Sequence, residues 1–109
     1  MTKQEYTWDE IKTIFTCGGC GILAQEILDI FPAGKPVLWY DEDNAATHAA
    51  VMFSGSRLIH YGDREHGYKT VDRAELDRAV KEDFDPRGDE DEIRELAKKL
   101  TASLVTELT

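Results

Sequence analysis

Gly18-Gly19-Cys20-Gly21-Ile22-Leu23-Ala24-Gln25-Glu26-Ile27-Leu28-Asp29-Ile30-Phe31 is the stretch on which the reading of this chain turns. Cys20, Leu23, Ala24, Ile27, Leu28 and Phe31 recur at helical spacing, and Gln25, Glu26 and Asp29 fall on the opposite side. The pattern predicts a helix from Cys20 to about Phe31, with Cys20 in line with the buried stripe and at its exposed end. A thiol at a helix N-terminus is favoured as thiolate, because the macrodipole and unpaired amides stabilise negative charge there.

Upstream, Thr7-Trp8-Asp9-Glu10 has the spacing of a capping box, and Tyr6 with Ile11 falls at the flanking staple positions. A short first helix to about Phe15 follows. Downstream, Pro32-Ala33-Gly34-Lys35-Pro36 ends the cysteine helix, and Val37 to Tyr40 reads as a strand followed by the polar loop Asp41 to Asn44. Thr47 to Phe53 and Arg57 to Tyr61 then read as a hairpin around Ser54-Gly55-Ser56. A two-residue turn at Gly55-Ser56, with glycine first as a type II′ turn prefers, sets His48 opposite Asp63. A three-residue loop swings His60 onto the His48 face instead; the two-residue turn is the favoured register.

Asp72 with Glu75, flanked by Val71 and Leu76, marks another capped start, for a helix ending near Phe84. Asp85-Pro86-Arg87-Gly88 breaks it. A final helix from about Asp89 to Leu108 carries Ile93, Leu96, Ala97, Leu100 and Leu104 on one face. The expected fold is α+β: the cysteine-bearing helix packed on a three-stranded antiparallel sheet, with additional C-terminal helices, in one domain spanning the 109 residues.

Composition narrows the function. The apolar share of 41% and charged share of 32% are those of a globular chain, and no apolar run is long enough to span a bilayer. The net charge of -9 argues against nucleic acid and anionic membranes as partners, since phosphate-rich surfaces are bound through Lys and Arg. From Asp72 to Glu95, 11 acidic residues face 5 basic ones, a solvated surface or a docking face for a basic partner. The first residues lack the pattern of a secretory signal, and two cysteines three positions apart do not make an extracellular disulfide framework, so a reducing cytoplasm is the expected compartment.

The candidate chemistry is nucleophilic. Cys20 supplies a thiol, His48 an imidazole to take its proton, Asp63 a carboxylate to fix the imidazole tautomer, and the amides around Gly19 and Gly21 supply oxyanion donors. Competing readings use the same residues. Cys20 is also a small apolar residue suited to a core; Cys17 and Cys20 have the spacing of a redox disulfide; and Cys17, Cys20 and His48 with His60 or His66 make a scattered zinc set. His60 and His66 otherwise read as surface or hairpin residues. No loop has the Lys-Ser/Thr that a phosphate-cradling site needs, and no cofactor or metal is expected.

At these residues the chain resembles the minimal papain-like fold, including its small amidase-like versions. The resemblance covers residues 17–70: Gly19-Cys20-Gly21-Ile22-Leu23-Ala24 as nucleophile segment, Thr47-His48-Ala49-Ala50-Val51 as base segment, and Leu58-Ile59-His60-Tyr61-Gly62-Asp63 as third-residue segment. It implies a cysteine hydrolase or transferase acting on an amide, isopeptide or thioester bond of a peptide- or amide-containing substrate, with Cys20, His48 and Asp63 catalytic. The chain departs from the family in lacking an aromatic after Cys20 and a preceding glutamine, and in carrying His60 where an aspartate is usual. In size and acidity it also looks like the small accessory proteins of bacteriophages. The alternative to an enzyme is therefore a non-catalytic acidic protein that binds or inhibits a macromolecular partner.

Overall fold

The computed structural model describes residues 7–16, 18–54, 57–60, 66–85 and 89–108, with side chains throughout these except at 8 and 104–108. The fold is α+β. Helices α1 (Trp8–Thr16) and α2 (Cys20–Ile30) precede strands β1 (Lys35–Tyr40), β2 (Ala46–Phe53), β3 (Arg57–Ile59) and β4 (Lys69–Thr70); helices α3 (Arg73–Glu82) and α4 (Glu90–Leu108) follow. The sheet is antiparallel, in the order β3-β2-β1-β4. It has four strands where three were expected. β4 has only two exposed residues, too few for an alternating pattern to register, and it pairs Thr70 with Val37 and Lys69 with Leu38.

Local signals set most of the boundaries. Thr7 Oγ1 accepts from the Glu10 N–H and the Glu10 carboxylate accepts from the Thr7 N–H, both at 3.2 Å, the reciprocal bonds of a capping box. Asp72 caps α3 by accepting from the Glu75 N–H at 2.8 Å. Gly18 turns the chain between α1 and α2 at φ 104°, a left-handed conformation that glycine adopts without steric penalty.

Helix α2 is buried on every side from Cys20 to Leu28. Its apolar stripe meets Leu38, Ala49 and Val51 on the sheet, Phe15, Leu76, Ala79, Ile93 and Ala97 on the other helices, and Phe84 just after α3. Gln25 and Glu26, expected to face solvent, are 8% and 7% exposed. The reason is α4, which packs along their side and sends Arg94 to Glu26 and Gln25, both at 2.9 Å, while Gln25 donates to Asp77 of α3 at 2.8 Å. Burying Ile22, Leu23, Ile27 and Leu28 is worth about 1.5–3 kcal/mol each, so the apolar face drives docking and the polar bridge fixes which way the helices meet. The approach is close at Gly21, where a Cβ would stand 2.6 Å from Val80 and 2.8 Å from Phe84.

A second polar network ties α3 to the sheet. Tyr40 OH donates to Glu75 at 2.6 Å, Arg78 donates to both oxygens of Glu75 and to Asp83, and Asp83 accepts from the Ala46 N–H at 2.9 Å. Arg78 and then Tyr40 hold the Glu75 carboxyl down, from 4.5 to about 2; burial, with Glu75 beside it, pushes Tyr40 up to about 12.

Two stability predictions follow from these contacts. Arg94→Ala leaves Glu26 buried without its cation; because Arg94 is 30% exposed, the cost is discounted to about 2 kcal/mol, readable as a lowered urea midpoint at unchanged slope. The depressed Glu75 pKa contributes stability that is complete above about pH 4.5 and lost as pH falls toward 2, so Glu75→Gln should flatten the pH dependence of the midpoint in that window.

Candidate functional site

β2 carries the residue that decides the site, next to a bulge in the strand. Trp39 pairs with His48 and Tyr40 with Ala46, so Thr47 is the extra residue on β2. Ala46, Ala49 and Val51 belong to the helix-side core, whereas Ala50 lies with Val37 and Trp39 on the opposite face. His48, two residues before Ala50 and across from Trp39, shares that opposite face by ordinary alternation, and the bulge at Thr47 returns Ala46 to the helix side.

The hairpin register then supplies its partner. Val51 pairs with Ile59, Met52 with Leu58 and Phe53 with Arg57, the register of the three-residue loop. The favoured two-residue turn is thereby corrected; Gly55, Ser56, Tyr61 and Asp63 themselves lie outside the described residues. In the observed register His60 stands on the His48 face, and His48 Nε2 lies 2.8 Å from His60 Nδ1. Of these two nitrogens one donates and the other accepts, so the bond requires a defined tautomer on each ring. His60 was expected to be a surface or hairpin residue; the signal that would have found it is its position two residues before the strand partner of His48.

Trp39 covers the pair. Its ring centroid lies 5.2 Å from that of His48 and 5.5 Å from that of His60, and its indole N–H donates to the His66 carbonyl at 2.6 Å. Tyr68 packs edge-on against the same indole. His48 is 4% exposed, so its hydrogen bond to His60 is sheltered from water and correspondingly strengthened.

Cys20 reaches β2 from the helix side. The hydrogen bonds that favour its thiolate come from the N–H of Ala49, the residue after His48, and from the amides of Gly18, Gly21 and Cys20 itself. The expectation of an exposed, acidified thiol is corrected on both counts. Cys20 is 2% exposed, and desolvation outweighs the surrounding amides, pushing the thiol up to about 11. At neutral pH the resting cysteine is protonated. Among the described residues no hydrogen bond joins its sulfur to the His48 ring: the sulfur meets the main chain one residue along, and the ring lies with Trp39 and His60.

Cys17, needed by both the zinc and the disulfide readings, lies outside the described residues, among which no three His, Cys, Asp or Glu side chains converge on a metal position. Asp41 folds its own loop, accepting from the N–H groups of Asp43 at 2.8 Å and Ala45 at 3.0 Å while Asn44 takes φ 63°. No single helix among the described residues is long and apolar enough to cross a membrane. Comparison of the chain with protein-family models, with curated proteins and with solved structures finds no match.

The His48 and His60 rings should therefore behave as one unit in solution. Nitrogen-15 NMR should show complementary tautomers and a slowly exchanging imidazole proton that disappears in His60→Ala; two rings with independent, averaging tautomers would contradict the geometry.

Proposed function

We propose that the chain is a Cys/His-dependent hydrolase or transferase acting on an amide, isopeptide or thioester bond, with Cys20 as nucleophile, His48 as general base and acid, and His60 as the residue that orients His48. The observation carrying this reading is the 2.8 Å bond between His48 Nε2 and His60 Nδ1, held under Trp39 on a strand whose next amide meets the Cys20 sulfur. His60 takes the orienting role expected of Asp63; Asp63, outside the described residues, stays in the set of variants to be made.

The chemistry follows from the tautomer. With His48 donating from Nε2 to His60, the lone pair is on Nδ1, the nitrogen that takes the thiol proton once the sulfur, which rests on the other face of β2, is brought to it. The sulfur attacks the carbonyl carbon of the substrate, and the carbonyl π electrons move to oxygen. The amides at the start of α2, which point at the sulfur in the resting protein, are the donors for that oxyanion in this reading. His48 returns its proton to the leaving amine or thiol, and water or an acceptor amine releases the acyl group from Cys20. Because the resting thiol is protonated, the base is needed in the attacking step, in contrast to a preformed ion pair.

The burial of Cys20 and the exposed carboxylates of Asp89, Glu90, Asp91, Glu92 and Glu95 favour a second reading, a non-catalytic acidic protein docking on a basic macromolecular partner in the cytoplasm, as a phage-encoded accessory protein would. Turnover separates the two. On a panel of fluorogenic peptide amides and acyl thioesters, Cys20→Ala should abolish turnover with the fold intact, His48→Ala should lower kcat by roughly 10²–10⁴, and His60→Asn should retain more activity than His60→Ala. Activity unchanged in Cys20→Ala would overturn the enzyme; loss of partner binding on charge reversal at Asp89 to Glu92, with no turnover anywhere on the panel, would establish the binder.

A further inference from the structure

We propose that helix α1 is a lid that holds Cys20 out of solvent in the resting protein and uncovers it by swinging about Gly18. The inference rests on the reading of Cys20 as nucleophile, and it answers a difficulty in that reading: a cysteine 2% exposed meets no substrate.

α1 sits on the residue that precedes the cysteine. The Gly19 N–H donates to the Ile14 carbonyl at 2.9 Å, and a Cβ on Gly19 would stand 2.6 Å from that oxygen and 3.0 Å from Ile14 Cγ2. Phe15, fully buried, lies in the same apolar cluster as Cys20, with Ile11 and Ile14 packed against it. α1 therefore closes the end of α2 at which the thiol is found.

The same helix is the one least committed to the core among the four. It has nine residues, fewer than an isolated helix needs to persist in water, so its order depends on docking. Among its described side chains only Phe15 is fully buried; Asp9, Glu10, Lys12 and Thr13 face solvent. Its bonds to the capping residue Thr7 are long and exposed. The turn into α2 runs through Gly18 at φ 104°, and the two helices meet at 89°, so a change at one glycine carries α1 off without disturbing α2. Undocking gives the sulfur access to water and substrate and removes the packing that separates it from solvent. α2, held by α3, α4 and the sheet, keeps Cys20 beside Ala49 throughout.

The test uses the full chain in a Cys17→Ser background, so that Cys20 is the thiol read. Its alkylation by iodoacetamide is timed under native conditions, and amide hydrogen exchange is followed on the same protein. The expected result is that the retardation of alkylation, relative to an unstructured peptide thiol, matches the protection of the α1 amides and falls well short of that of the central strands. Phe15→Ala should then accelerate alkylation on the order of a hundredfold while far-UV circular dichroism and cooperative unfolding persist. Thiol protection equal to that of the central strands in the unsubstituted helix would overturn the lid, as would an alkylation rate unmoved by Phe15→Ala in a folded protein. With the lid loosened by Phe15→Ala, adding His48→Ala distinguishes the two claims: slower alkylation supports both, whereas an unaffected rate sinks His48 as base and leaves the lid supported by its own matched protections.

Discussion

The structure depends on burying α2 from all sides. A helix enclosed in this way has no solvent face on which to leave polar side chains, so Gln25 and Glu26 must find partners inside the protein, and Arg94 and Asp77 are those partners. The same enclosure demands glycine where neighbouring elements come closest, at Gly19 beneath Ile14 and at Gly21 beneath Val80 and Phe84. Cys20 lies between these two glycines. Its position is thus set by packing on both sides, and the amides that surround its sulfur come with the helix start and the adjacent strand.

The electrostatic consequence runs against a simple expectation. A helix N-terminus lowers a thiol pKa when water and dipole act together, but here desolvation wins and the thiol is pushed up to about 11. The protein keeps its cysteine neutral and its imidazole pair engaged on the far side of β2. A buried, protonated thiol of this kind is shielded from oxidants and alkylating agents.

Much of this was legible in the residues and some was not. The capping box at Thr7, the N-cap at Asp72 and the stripe from Cys20 located three helices because those signals are local in sequence. Gln25 and Glu26 were misread because helical periodicity assumes one buried face, and nothing local reports a partner helix seventy residues away. The Thr47 bulge was invisible, since one extra residue leaves the strand composition unchanged while reversing which face His48 occupies relative to Ala46. The hairpin register rested on turn preference alone, and the observed register, one residue from that expectation, brings His60 onto the His48 face. Each misreading concerns a pairing between elements that the pattern within one element does not report.

The most direct measurement is acyl trapping: incubation of the full chain with an acyl thioester, an acid quench, and peptide mass spectrometry to locate the acyl group. One acyl group per chain on Cys20, absent in His48→Ala, is the result expected of a nucleophile served by that imidazole. An acyl group found elsewhere, none at all, or labelling of Cys20 indifferent to His48 would contradict a Cys20 and His48 centred reaction.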